Sequence, residues 1–289
     1  MSRKPKSNKN KKKHLSIKLQ GVVIMMLIAI AGYLMNLSGC NGVSKDDKAQ
    51  ASYSGSQLIA HIEDLDMART AKGRASQIIR HKGYTLSYNN DWRLANWVGY
   101  VLTTQETEGD VERSDWFDKD PMVKGVQVRH ADYTHSGFDR GHMAPAADMK
   151  WDKQAMVESF YMSNICPQVH ALNAGLWSSL EDRVRSWARR DSAVVVVCGP
   201  IVPEQPMTIG DNRVAVPEYF YKIVASPYSA TPRGIAFIMP NEDCDHPLYH
   251  YAVTIDSVEN RTGIDFLYNL PDSLENYIEQ NYDLKAWQL

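Results

Sequence analysis

Residues 138–148 read Phe-Asp-Arg-Gly-His-Met-Ala-Pro-Ala-Ala-Asp, and the fold is decided by how that stretch is taken. Arg140 and His142 bracket a glycine. Hydrolysis of a phosphodiester needs a base near neutral pKa to take a proton from water, and positive charge to hold the phosphoryl oxygens as the transition state develops. His142 supplies the first and Arg140 the second. Gly141 between them is the residue used where backbone bends sharply or approaches a ligand with no Cβ in the way. A histidine in isolation is more often a satisfied core or surface residue, so the catalytic reading needs companion residues further along the chain.

Downstream lie Ser163-Asn164-Ile165-Cys166-Pro167-Gln168, then Leu172-Asn173-Ala174-Gly175-Leu176-Trp177, then Leu180-Glu181. Leu176, Leu180, Val184 and Trp187 recur at three- and four-residue steps, which predicts an amphipathic helix from about residue 172 to 190. On it Asn173, Trp177 and Glu181 fall at i, i+4 and i+8, so the amide and the carboxylate share one flank about two turns apart. Mg²⁺ prefers hard oxygen ligands and keeps several waters, so one amide oxygen plus a carboxylate acting through water suffices to hold it, with Mn²⁺ as a substitute. Glu181 alone would read as a solvated helix face. Asn164, before Ile-Cys-Pro, reads as a residue that ties down a turn. Trp151, Phe160, Tyr161 and Trp177 are expected to fill a core rather than to stack on bases.

These residues, in this order, resemble the DNA/RNA non-specific endonuclease family, the endonuclease G-like ββα-metal (His-Me finger) nucleases. The resemblance runs from about Tyr84 to Leu270, through Trp97-Val98-Gly99-Tyr100, Arg113-Ser114-Asp115, Gly137 to Asp148, Ser163-Asn164-Ile165, Asn173 to Glu181, Cys198-Gly199-Pro200, Val216-Pro217 and Thr262-Gly263. It implies an α+β fold, an antiparallel sheet flanked by helices. In its ββα unit a two-stranded element around residues 132–143 presents His142, and a helix beginning near Asn173 closes over the metal. It also implies that His142 is the general base, Asn173 the direct Mg²⁺ ligand, and Glu181 a residue acting on the ion through water. Arg140 and Arg113 would steady the phosphate, while Asp139 buttresses its loop. The implied reaction is cleavage of DNA and RNA to 5′-phosphate products, and a homodimer is the common state in the family. Because the motif residues address phosphate and metal only, low sequence selectivity also follows from the chemistry.

The N-terminus says where this chemistry takes place. Eight Lys or Arg and no acidic residue occupy positions 1–20, and Gly21 to Leu37 carries no charge. This is a targeting segment. It ends in Leu37-Ser38-Gly39-Cys40, which resembles the lipobox of bacterial lipoproteins. The expected organisation is a signal peptide over 1–39, a lipidated Cys40 with a flexible linker over 40–56, and an endonuclease domain over 57–289. An uncleaved signal anchor is the alternative, since the apolar run sits at the lower limit for spanning a bilayer. Both place the domain in the cell envelope, outside the cytoplasm, on a membrane tether. As a random coil the linker spans on the order of 20 Å. Its Lys45-Asp46-Asp47 resembles an acidic export tag, and a solvated charge cluster explains it equally well.

Charge limits how nucleic acid is held. Of 32 Lys and Arg, the eight of positions 1–20 leave 24 against 34 acidic residues, so 21–289 carries about −10. Proteins that bind by counterion release are basic, so binding here must be local. Arg183, Arg185, Arg189 and Arg190 form one candidate patch, although arginines in a last helical turn are also ordinary dipole chemistry. Residues 192–198, 219–225 and 234–239 read as strands, and 152–161 and 273–280 as helices. Besides Cys40, the cysteines Cys166, Cys198 and Cys244 are odd in number, so at most one pair forms. Cys198 reads as a small buried hydrophobe, and no spacing supports zinc. Two other functions stay open: a phosphodiesterase on small nucleotides, and a catalytically silent tethered module that binds nucleic acid.

Overall fold

The computed structural model describes residues 64–289. The expected signal peptide, Cys40 and the linker to residue 56 lie outside the described residues. In chain order the strands are β1 (Gln77–Arg80), β2 (Thr85–Asn89), β3 (Leu94–Thr103), β4 (Asp139–His142), β5 (Ile165–Gln168), β6 (Ala193–Ile201), β7 (Thr208–Ile209), β8 (Val214–Ala215), β9 (Tyr219–Ser226), β10 (Arg233–Pro240) and β11 (Ala252–Val253). The helices are α1 (Lys153–Ser159), α2 (Ser178–Asp191), α3 (Ile255–Thr262), α4 (Asp272–Gln280) and α5 (Leu284–Trp287). The runs expected as strands are β6, β9 and β10, and the two short helices are α1 and α4, with Asp152 capping α1 through Gln154 N and Ala155 N.

Val194 to Val197 are all buried, and a strand apolar on both sides must be covered on both faces. β6 accordingly lies mid-sheet, in the antiparallel order β1-β2-β3-β6-β9-β10-β11. Side chains alternate across a strand, so residues three apart point to opposite faces. On β10, a Cβ at Gly234 would meet Ile255 of α3 and Ile278 of α4, while Phe237 stacks on Trp187 of α2. One face of the sheet therefore carries α2, and the other carries α3 and α4. The architecture is the expected α+β one.

Two local expectations change. Residues 132–143 do not form a hairpin of their own: His130–Tyr133 is a 3₁₀ turn, and β4 pairs antiparallel with β5, His142 opposite Ile165 and Asp139 opposite Gln168. Asp132 is spent elsewhere, accepting from Arg129 N, Asn212 N and Asn212 Nδ2. The helix expected from 172 is also interrupted. Leu172–Trp177 is a π-helical turn with non-helical backbone at Gly175 (φ −100°, ψ −109°), and regular α-helix begins only at Ser178. Such turns inside helices recur at functional sites.

Candidate active site

β4 delivers His142 from its last position, and the chain beyond it is stapled. Asn164, fully buried, accepts from Ala144 N at 2.9 Å and donates to Ala144 O at 2.9 Å and to Ser159 O at 2.8 Å. The residue read as a turn tie thus clamps the exit of β4 to the entry of β5. Gly141 is needed for space rather than for an unusual backbone: a Cβ there would lie 2.1 Å from Gln168 Oε1 and 2.8 Å from Gln168 Cβ.

The His142 ring is wedged between Phe117 (centroids 5.5 Å apart) and Phe160 (4.8 Å, edge-on). Its Nε2 is buried with no hydrogen-bond partner. Burial first, and the Arg113 guanidinium second, push the imidazole down to about 3. It stands neutral at neutral pH, with a lone pair to accept a proton. The same aromatics space the two arginines. Arg113 lies over Phe160 at 5.2 Å, and Arg140 lies over Phe117 at 5.7 Å, with its Nη2 donating to His130 O.

Across the cleft, Asn173 sits in the π turn. Its Nδ2 donates to Asp139 Oδ2 at 2.9 Å, and His170 Nδ1 lies 2.8 Å from the same oxygen. Asp139, expected to buttress the loop, therefore fixes the Asn173 amide and leaves Oδ1 to accept or ligate. Glu181 follows in the first turn of α2, and its carboxylate has no hydrogen-bond or ion-pair partner among the described residues. Burial raises its carboxyl to about 7, against the pull of Lys222 and with the push of Asp148. One cleft of about 230 Å³ is lined by Arg113, Arg140, His142, Asn173 and Glu181 together, with Phe117, Pro145, Ala146, Ala147 and Ser178. Every residue expected at the catalytic and metal positions of the domain meets there. A pinned amide whose oxygen is left over, beside an unpaired carboxylate, fits a hard divalent cation.

Other residues of this region escaped the sequence reading. Lys222 is fully buried on β9, its Nζ 4.4 Å over the Trp177 ring and without a hydrogen-bond partner. A single lysine inside the apolar run Tyr-Phe-Tyr-Lys-Ile-Val-Ala was the available signal. Asp148 binds Arg185 at 2.7 Å and accepts from Tyr100 at 2.9 Å, which ties α2 to β3 behind the cleft. Two arginines of the candidate patch are spent, Arg185 on Asp148 and Asp182 and Arg190 on Asp191, while Arg183 and Arg189 stand exposed on α2 with no acidic partner among the described residues. Trp177 and Phe160 are core residues, and Cys166, Cys198 and Cys244 are free thiols.

The model of the DNA/RNA non-specific endonuclease family matches residues 67–273. Endonuclease G, mitochondrial, of Bos taurus is 34% identical over 220 residues, covering 71% of this chain and 74% of its own. Nuclease C1 of Cunninghamella echinulata var. echinulata is 36% identical over 211 residues, 67% of this chain and 84% of its own. Among solved structures, that of the EndoG/EndoGI complex matches with a TM-score of 0.64 at 31% identity, over 68% of this chain and 87% of that one. With the site residues assembled in one cleft and more than half of its length matched, the chain belongs to the DNA/RNA non-specific endonuclease family.

Proposed function

We propose that the chain is a divalent-metal-dependent endonuclease that hydrolyses DNA and RNA backbones without base selection, leaving 5′-phosphate ends. The observation that carries this is the neutral, buried His142 sharing one cleft with the oriented Asn173 amide, Glu181 and two arginines. His142 takes the proton of the attacking water. Arg140 and Arg113 hold the non-bridging oxygens as charge grows on them. Asn173 through Oδ1, and Glu181 through water, would hold Mg²⁺, or Mn²⁺ in its place, and such an ion would supply Lewis-acid stabilisation to the charge that develops. Asp139 keeps the Asn173 oxygen turned to the cleft. The nuclease names of the relatives support the same reaction class.

The test is digestion of supercoiled plasmid and of a structured RNA by the piece from Ser56 onward, with Mg²⁺ and with chelator. Both polymers should be degraded, and His142→Ala should lose at least about 100-fold in rate with its fold intact. Near-normal activity in that variant sinks the assignment of the base, and unchanged Mg²⁺ dependence in Asn173→Ala sinks that of the ligand.

For location, the residues before the domain support a lipid-anchored, extracytoplasmic form. The basic start, the uncharged run to Leu37 and the placing of Cys40 are what a lipoprotein leader needs. Such a tether keeps a non-specific nuclease away from the chromosome. Metabolic labelling with a fatty-acid analogue should mark the chain and miss Cys40→Ser; equal labelling of both removes the anchor.

A further inference from the structure

α3 and α4 cover the face of the sheet turned away from the catalytic cleft, and three carboxylates converge where they meet. Asp256 and Glu259, nearly one turn apart on α3, and Glu279 in the last turn of α4 each bring an oxygen within 4.8 Å of the other two. Glu279 is only 6% exposed, and its Oε1 has no hydrogen-bond partner. Glu259 is already fixed in place, accepting from Phe266 N through Oε1 at 2.8 Å. Buried like charges in mutual contact are costly unless something cancels them. Among the described residues no lysine or arginine pairs with any of the three. Burial first, then Glu259, Glu275, Asp256 and Asp265, all acidic, push the Glu279 carboxyl up to about 9.

Ca²⁺ takes six to eight oxygens at about 2.3–2.6 Å, so ligands on opposite sides of it stand about 4.6–5.2 Å apart. The trio fits inside that span, and Asp256 and Glu259 are only partly buried, which leaves a side open to water. Mg²⁺ demands a near-ideal octahedron at about 2.0–2.1 Å and gives up its waters reluctantly, so three protein carboxylates suit Ca²⁺ better. We propose that Asp256, Glu259 and Glu279 form a second divalent-cation site, of the Ca²⁺ class, that clamps α3 to α4 independently of the catalytic cleft. No step of the nuclease reaction passes through it.

The test uses the full chain carrying Asn173→Ala, so that the catalytic cleft has lost its direct ligand, stripped of metal and titrated with Ca²⁺ by calorimetry and by thermal melting. Glu279→Gln keeps the volume of the buried side chain, and Asp256→Asn alters a less buried member of the trio. The expected result is one Ca²⁺ per chain and a rise in Tm of about 5 °C or more at Ca²⁺ concentrations 100-fold above Kd, both lost in Glu279→Gln and weakened in Asp256→Asn. Without Ca²⁺, Glu279→Gln should melt close to its parent, since a carboxyl held protonated is replaced by a neutral amide of the same volume. Absence of Ca²⁺ binding in the parent, or binding and Tm shift undiminished in both variants, overturns the site and leaves a carboxyl cluster that shares protons.

Discussion

Glu181 and His142 face one cleft with their proton affinities displaced in opposite senses. The carboxyl is raised from 4.5 to about 7, and the imidazole is lowered from 6.5 to about 3. For His142 the folded value lies below the unfolded one, so its contribution to stability is full above about pH 6.5 and is lost as pH falls toward 3. For Glu181 the folded value lies above, so its contribution is present below about pH 4.5 and is lost as pH rises through 7. From about pH 4.5 to 6.5 the contributions of these two groups offset each other. On the proposed mechanism a proton on Glu181 would compete with the ion, whereas the His142 imidazole would stay unprotonated throughout. The half-saturating Mg²⁺ concentration should therefore climb about tenfold per pH unit below 7, with little change in the limiting rate down to about pH 5.5. Initial rates across a Mg²⁺ series at pH 5.5, 6.5 and 7.5 decide this. A limiting rate that collapses at saturating Mg²⁺ would instead assign the acid limb to His142.

The ββα element depends on one buried amide more than on its own strands, which are four residues each. Asn164 satisfies three backbone groups at once, and none of them has water to replace it. Asn164→Ala should cost roughly 3 kcal/mol and lower Tm by about 6–12 °C, because buried groups left unpaired carry their full desolvation cost. Chemical denaturation reads the stability, and nuclease rate at 20 °C reads whether His142 is still presented; a change below about 0.5 kcal/mol would mean that Asn164 is not a staple. Three strands of the main sheet, β6, β9 and β10, were legible in the sequence because β-branched runs bounded by Gly, Pro or Asn report local preference, while β1, β2, β3 and β11 were not read. The partner of β4 was not: β5 begins 23 residues beyond His142, and pairing across an intervening helix leaves no local trace. Gly175 concealed the kink in the helix, since glycine within a helical stripe is tolerated as well as disruptive. The site residues were legible as a set because they lie in motifs, while the Asp139–Asn173 bond that orients one of them exists only in three dimensions.

Over the whole molecule, negative charge and a phosphate substrate are opposed, and the arrangement of the arginines sets the terms. Positions 21–289 carry 24 basic residues against 34 acidic ones. Arg185 and Arg190 on α2 are neutralised by aspartates, whereas Arg140 and Arg113 line the cleft itself, Arg113 with only an exposed pairing to Asp115 at 3.5 Å. If the cleft alone holds the substrate, affinity for nucleic acid comes from about two phosphate contacts rather than from a broad basic face. Each neutralised phosphate contributes about −0.9 to the slope of log K against log salt on duplex DNA, so the slope here should be about −2. Measured by anisotropy on His142→Ala without metal, Arg113→Ala and Arg140→Ala should each lower the slope by about 1, alike on unrelated sequences. A slope beyond about −5 would mean that a basic tract outside the cleft holds the substrate. Comparing the piece from Ser56 onward with the full chain locates such a tract, because eight basic residues stand in positions 1–20. With a shallow slope the domain releases cut strands readily at physiological salt, which suits an enzyme that must act many times on polymers it does not read.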